Sequence, residues 1–393
     1  MHKHDGNTAG EPAPAEDSVL SQYNNNDQST IMDLLKAERV QNAQTFHREL
    51  GTKAITFFMM VLGDMWLWFF LTWQYALSNG GGTGAVIVFA CSTPGFVCIL
   101  CNAIYQAARF PNIAGPAYWT YILWHPKSAR KASFANAWCL AIGWSLGAAG
   151  TNNYVATLLV GAWSSLHAKY EWQAWHVVSA SIAICVFAIL VNLFMKWLRY
   201  ASLVAAACSF LAFIIVLVSI SIGWAFFTPT PHDINSWGWA NANNWSTLSL
   251  ALLANFNAPA TTFIGVDAAT HMTLETKNPG RSIPRGMTWS ALYGYLTVFA
   301  MCGLIVHAPY NREFAERCGS VPLAIFHRTT GEHILFTLFV LALVLAALVI
   351  NTVNQMLTST RMLWAFSDGL SAVPFFTWLT KVKHHAARHR SIS

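Results

Sequence analysis

Residues 255–287 read NFNAPATTFIGVDAATHMTLETKNPGRSIPRGM. They emerge from the apolar run WSTLSLALLANF, residues 245–256, so hydropathy places the start of the stretch inside a membrane helix. Yet it carries Pro259, Gly265, Asp267 and His271. An ionised side chain near a bilayer centre costs at least about 2.5–3.5 kcal/mol even on lenient insertion scales. Irregular backbone at membrane depth survives only where it lines a cavity or is buried in protein. The segment NAPATTFIGVD is therefore read as unwound chain between two half-helices. Pro259 removes a backbone donor, and Gly265 permits a conformation outside the α region. Groups freed around Thr261–Gly265 would bind something polar, since half-helix N-termini attract anions and free carbonyls attract cations. A small zwitterion or amine suits that set. The plainer alternative is a Pro-kinked structural helix.

Working outward, the whole chain is built for lipid. Of 393 residues, 55% are hydrophobic, 14% aromatic and only 10% charged, with mean hydropathy +0.40; soluble domains carry about 25% charged residues. Apolar runs of membrane-crossing length fall at 54–77, 84–108, 134–163, 174–195, 201–227, 247–272, 287–308 and 334–358. Eight spans place both termini on one side. All of the 23 Lys and Arg residues except Lys169, Arg312, Arg317 and Arg328 lie on that side, which is thereby expected to be cytoplasmic. The net charge of +6 follows from this asymmetry and calls for no nucleic-acid partner.

Residues 1–50 form a polar cytoplasmic segment without a cleavable signal pattern. Residues 1–28 are expected to be disordered and 29–50 to include a surface helix capped by Ser29 or Thr30. The membrane region spans 51–360, and 361–393 form a second cytoplasmic segment. Cys98 and Cys101 lie mid-run without a partner pair, so they read as small packing residues rather than a redox or zinc site. The sequon Asn244-Trp245-Ser246 falls in an expected external loop, making Asn244 a glycosylation candidate. No cofactor or metal is implied.

The segment FIGVDAATHMTLETKNPGRSIPRGM, residues 263–287, resembles the sixth-helix signature of the amino acid–polyamine–organocation (APC) superfamily, and within it the fungal permeases for amino acids, GABA and choline. SNGGGTG at 78–84, FPNIAGPAYW at 110–119, SFANAWCLAIGW at 133–144 and STRMLWAFSDGLSAVPFFTWL at 359–379 match further family segments in order and spacing. The resemblance covers about residues 45–383. It implies an all-α integral membrane protein with the APC inverted-repeat fold, with about eight of the usual twelve helices present. It also implies secondary active, alternating-access transport of an amino acid or related amine (GABA, choline-like and polyamine substrates included), coupled to protons. The plasma membrane is the expected location, with vacuolar or other endomembranes as alternatives.

By position, the resemblance puts Gly63, Asp64, Trp66, Thr261, Thr262, Phe263, Ile264 and Gly265 around the substrate. Phe263 would form an aromatic wall, since a ring face attracts an ammonium by about 0.5–2 kcal/mol. Asp267 is either a proton carrier or a structural hydrogen-bonding group across the break. His271, four residues on, shares its helical face and is a candidate to share its proton, or else a satisfied core histidine. Glu275, Lys277, Arg281 and Arg285 form either a cytoplasmic latch or a positive-inside anchor.

Three features depart from the family pattern. The family continues for four more helices beyond the eighth, so a truncated chain, or a non-transporting homologue or nutrient sensor, is the alternative reading. In GDMWLWFFLTW, residues 63–73, the bulky Trp68 and Phe70 stand where small residues are expected. Asp64 beside them would favour cationic amines, unless it merely faces cytoplasmic water. Last, no Asp or Glu occurs between Asp64 and Glu171. An enzyme is disfavoured: no H-E-x-x-H, G-x-S-x-G or phosphate-binding Gly-Lys motif is present.

Overall fold

The computed structural model describes residues 48–167, 169–170, 173–193, 198–226, 233–235 and 238–369. The expected disorder of 1–28, most of the proposed surface helix at 29–50 and the basic tail KVKHHAARHRSIS lie outside these residues.

The chain opens with α1 (Thr52–Gly63) and α2 (Met65–Ser78), separated by Asp64 alone. Then come α3 (Gly81–Arg109), the short α4 (Pro116–Leu123), α5 (Ala129–Leu166), α6 (Ala174–Leu193) and α7 (Leu198–Phe226). The 247–272 run is divided into α8 (Leu248–Asn255), α9 (Asn257–Thr262) and a 3-10 helix (Ala268–Glu275). It leads into α10 (Pro279–Ile305), short α11 (Arg312–Cys318) and α12 (Val321–Thr329), and finally α13 (Ile334–Gly369). The expected boundary at 360 falls inside α13.

Six of these helices, counting α1–α2 as one, are long and apolar enough to cross a membrane among the described residues. The other two expected spans differ for separate reasons. α5 is 38 residues long, but Asn136, Asn152 and Asn153 dilute its hydropathy. The 247–272 run is divided into short pieces, as its Pro and Gly suggested.

The same order of elements occurs twice. An interrupted helix is followed by an unbroken one of 29 (α3) or 27 (α10) residues, then a short helical linker, then a long helix of 38 (α5) or 36 (α13) residues. With α1–α2, α3, α5, α6 and α7 counted as five crossings, the second set would cross in the opposite sense, as an inverted repeat does. α5 and α13 lie against each other, as do α1 and α10.

α1–α2 is the central shaft. Trp66, Leu67, Trp68, Phe69, Leu71 and Trp73 point in all directions and every one is buried, as expected of a helix that is apolar all round. Without a hydrophobic force between helices in lipid, close packing depends on small residues. A Cβ on Gly286 of α10 would lie 2.6 Å from Ile55, and one on Gly294 would lie 2.6 Å from Met65. These two glycines let α10 seat on both halves of the shaft. α6 lies outermost, exposing Val178, Ile182, Val186 and Leu190 as a lipid-facing surface would.

Two further devices set the ends. β1 (Asp233–Asn235) and β2 (Pro309–Asn311) pair antiparallel, with Ile234 opposite Tyr310. At the other end Leu50 donates to the Glu275 carbonyl at 3.0 Å and accepts from Lys277 N at 2.8 Å, tying the start of α1 to the end of the 3-10 helix.

Candidate functional site: two apposed helix breaks

The first break is a single residue. Asp64 has φ 7 and ψ 61, outside helical space. Its amide closes α1 on Met60 O at 2.9 Å, and its carbonyl opens α2 by accepting from Leu67 and Trp68. A continuous helix would give the Val61 and Leu62 carbonyls to the amides of Met65 and Trp66. Instead both accept from the Nδ2 of Asn351 on α13, at 3.2 Å for Leu62. Gln355 donates to Asn351 Oδ1 at 2.9 Å and so fixes which way the amide faces. Beside the break, a Cβ on Gly63 would meet nothing within 4 Å.

The second break runs from Phe263 to Asp267, between α9 and the 3-10 helix. It begins later than the sequence suggested. Pro259 sits in the first turn of α9, where a missing N–H is tolerated, so Thr261 and Thr262 stay helical. Their hydroxyls donate to Asn257 O and Ala258 O, each at 2.8 Å. Gly265 makes the turn at φ +85. A Cβ there would lie 2.8 Å from Leu62 Cδ2 and 3.5 Å from Trp144. The end of α1 therefore touches the second break, Leu62 against Gly265.

The other expected site residues are distributed around this contact. Phe263 is buried and lies 5.3 Å from Phe89, 4.9 Å from Phe96 and 5.2 Å from Tyr295, ring centre to ring centre. It forms a wall with α3 and α10. Ile264 is half exposed. Trp66 is buried, its Nε1 donating to Ser209 Oγ of α7 at 3.0 Å. Asp64 is buried as well, so it does not face cytoplasmic water; Ser209 Oγ donates to its Oδ2 at 2.6 Å.

Asp267 and His271 meet at 3.2 Å between Oδ2 and Nε2. Trp144 Nε1 donates to the same Oδ2 at 3.2 Å. His271 Nδ1 lies 2.7 Å from the Ile113 carbonyl, which can only accept, so Nδ1 carries a proton. The other ring nitrogen, Nε2, faces Asp267 Oδ2. Through His271 the break is fastened to the loop 110–115, where Gly115 at φ +51 packs onto Thr270 and His271.

Glu275 forms its ion pair with Arg361 of α13. Arg281 and Arg285 are exposed and make no ion pair among the described residues. Asn244 is exposed, with φ 52, in a turn pinned by Trp245 Nε1 donating to Asn79 Oδ1 at 2.7 Å. Among the described residues no His, Cys, Asp or Glu cluster could hold a metal.

Asn351, Gln355, Ser209, Trp144 and Arg361 were not among the residues singled out from the sequence. Asn351 and Gln355 did carry a signal: amide side chains four apart inside an apolar run of membrane length, where polar groups are expensive unless they have work to do.

Comparison with known proteins agrees with this architecture. A family profile described as amino acid permease matches residues 53–393. A protein of Macrophomina phaseolina named as an amino acid/polyamine transporter is 28% identical over 287 residues, 70% of this chain and 61% of its own length. The choline transporter of Saccharomyces cerevisiae is 24% identical, covering 61% of this chain and 42% of that one. The 7-keto 8-aminopelargonic acid transporter of the same yeast is 25% identical, covering 55% and 39%. The chain thus spans between about two fifths and three fifths of these relatives. With the family profile covering most of its length and the interrupted helices paired as an inverted repeat, the chain belongs to the amino acid permease family, a family of membrane transporters and not of enzymes.

Proposed function

We propose that this protein moves an amino acid or a related amine across a membrane by secondary active transport, with the proton as coupling ion. The observation that carries the reading is the contact of the end of α1 with the second break, Leu62 against Gly265, near the centres of the two interrupted helices. Half-helix ends meeting at one point bring amides and carbonyls together where a zwitterion's two charged ends need them. The open space beside Gly63 gives such a ligand room. Backbone groups of Gly63 and of Phe263–Gly265 would bind its polar end, while Trp66, Thr261, Thr262, Phe263 and Ile264 shape the surroundings. The relatives named for choline, polyamine and an amino-keto acid share one chemistry, a small molecule bearing an amine or quaternary nitrogen.

Two features favour the proton. The carbonyls freed at the first break, the natural ligands for a metal cation, are already taken by Asn351. The interior also holds two carboxyl groups, Asp64 and Asp267. The excess of Lys and Arg on one side favours cytoplasmic termini. In this reading the Glu275–Arg361 pair closes the cytoplasmic end and must part for inward opening.

The full-length protein reconstituted in vesicles should accumulate labelled amino acids, choline or polyamines when a proton gradient is imposed. Uptake that ignores the gradient would remove proton coupling. Binding of one of these without uptake would favour a sensor.

A further inference from the structure

Asp64 and Asp267 are both enclosed, but their surroundings differ. Asp267 faces His271 Nε2 at 3.2 Å, receives the Trp144 indole, and is fastened through His271 to the Ile113 carbonyl. Two ring nitrogens from separate elements thus hold its Oδ2 in place. The arrangement suits a fixed structural joint.

Asp64 is 3% exposed, with the Ser209 hydroxyl as its donor at hydrogen-bond distance among the described residues and the Trp66 indole close by. Ser209 Oγ donates to its Oδ2, and Oδ1 is buried with no hydrogen-bond partner. Ser209 has one proton to give. Because Trp66 Nε1 donates to the same hydroxyl oxygen, that proton is directed at Asp64. The elements packed around the break supply no counter-charge. α7 contributes Ser209, α10 contributes the phenol of Tyr293, and α13 contributes Asn351, which is occupied by the Val61 and Leu62 carbonyls. Among the described residues no Lys, Arg or His bonds the carboxyl. A carboxylate buried against one donor is strongly disfavoured relative to its neutral acid.

Resting on the transport reading above, we propose that Asp64, and not Asp267, binds and releases the coupling proton, and that it is a neutral acid, protonated on Oδ1, in the conformation described here. Release is a simple dissociation. The Oδ1–H bond breaks and the proton passes to water when the break opens, leaving a carboxylate that keeps the Ser209 hydrogen bond on Oδ2. Rebinding from the other side restores the acid and no other bond changes. Closure around an ionised Asp64 would bury an unpaired charge, so the break closes readily only with the proton aboard. The same neutrality means that Asp64 does not anchor the amine.

Infrared spectroscopy of the full chain in vesicles tests this directly. At neutral pH the wild type should show the carbonyl stretch of a protonated carboxylic acid, shifted by deuterium exchange. The band should vanish in Asp64→Asn and persist in Asp267→Asn. Its absence from the wild type, or its survival in Asp64→Asn, would overturn the proposal. If Asp64→Asn fails to fold, Ser209→Ala takes its place: losing the donor that favours the ionised form should carry the band to higher pH, and an unmoved titration would count against us. In transport, Asp64→Asn mimics the permanently protonated form. It should retain substrate exchange while losing accumulation driven by a proton gradient at least tenfold. Loss of exchange together with accumulation would return Asp64 to the substrate. A wild type that neither exchanges nor accumulates would refute transport itself, while the infrared result still decides the protonation of Asp64.

Discussion

At the scale of single residues, Asn351 explains how the first break is tolerated. Two carbonyls released by Asp64 lie in the interior, and one side-chain amide, held in place by Gln355, satisfies both. Leaving a buried polar group without its partner costs about 1–3 kcal/mol. Asn351→Leu, which strands two, should lower the thermal midpoint in detergent clearly more than Asn351→Gln does. Equal midpoints would mean that water or a rearranged helix serves the carbonyls as well. Gly265 makes a complementary case at the second break. Its φ of +85 is one that a side chain adopts with strain, and Leu62 lies 2.8 Å from where a Cβ would stand. Gly265→Ala should therefore both destabilise the protein and force the breaks apart, read as a lowered midpoint together with weaker substrate binding.

At the scale of elements, α10 shows what glycine spacing achieves. Gly286 and Gly294 face Ile55 of α1 and Met65 of α2, one on each side of Asp64. Overpacking a close contact costs about 1–3 kcal/mol. Gly286→Val and Gly294→Val should each reduce the yield of monodisperse protein and its melting temperature. Gly303, on the same helix, has open space around its Cβ position. Gly303→Ala should be neutral or slightly stabilising, since alanine is the better helix former by about 1 kcal/mol. If all three substitutions behave alike, helix propensity and not the packing of α10 on the shaft governs the response. The 3-10 helix Ala268–Glu275 has its own logic: Thr270, Thr273 and Thr276 all bond back to carbonyls three or four residues earlier, which competes with the regular ladder.

At the scale of the whole molecule, the Glu275–Arg361 pair joins the end of the second interrupted helix to α13. Both side chains are mostly enclosed, each 19% exposed, so removing one partner leaves a poorly solvated charge behind. Glu275→Arg alone and Arg361→Glu alone should each impair folding or transport, and the double exchange should recover part of the loss. No recovery would show that the two act independently. Sidedness is tested with single cysteines on a chain whose eight native cysteines have been replaced. Glu313→Cys should react with an impermeant reagent on intact cells and Lys127→Cys only after permeabilisation. The reverse pattern would invert the orientation argued from Lys and Arg.

By itself the sequence determined the solvent, six of the spans and the interruption of the 247–272 run. Each of these follows from local composition: apolar runs of bilayer length, and a Pro, a Gly and an Asp where lipid penalises them. The first interruption was less legible, because GDMWLWFF looks like an ordinary apolar helix with one acid in it, and nothing local says that the backbone turns at Asp64. Only the tertiary structure decided which partners complete the breaks. Ser209 lies 145 positions from Asp64, Asn351 lies 289 from Leu62, and Trp144 lies 123 from Asp267. Hydropathy and helical periodicity describe neighbours within a few turns. Whether a buried carboxyl faces one hydroxyl or an imidazole and an indole depends on how distant helices are set against each other. That placement separates Asp64, which the sequence reading set beside the substrate, from Asp267, which it offered as a proton carrier or a structural group.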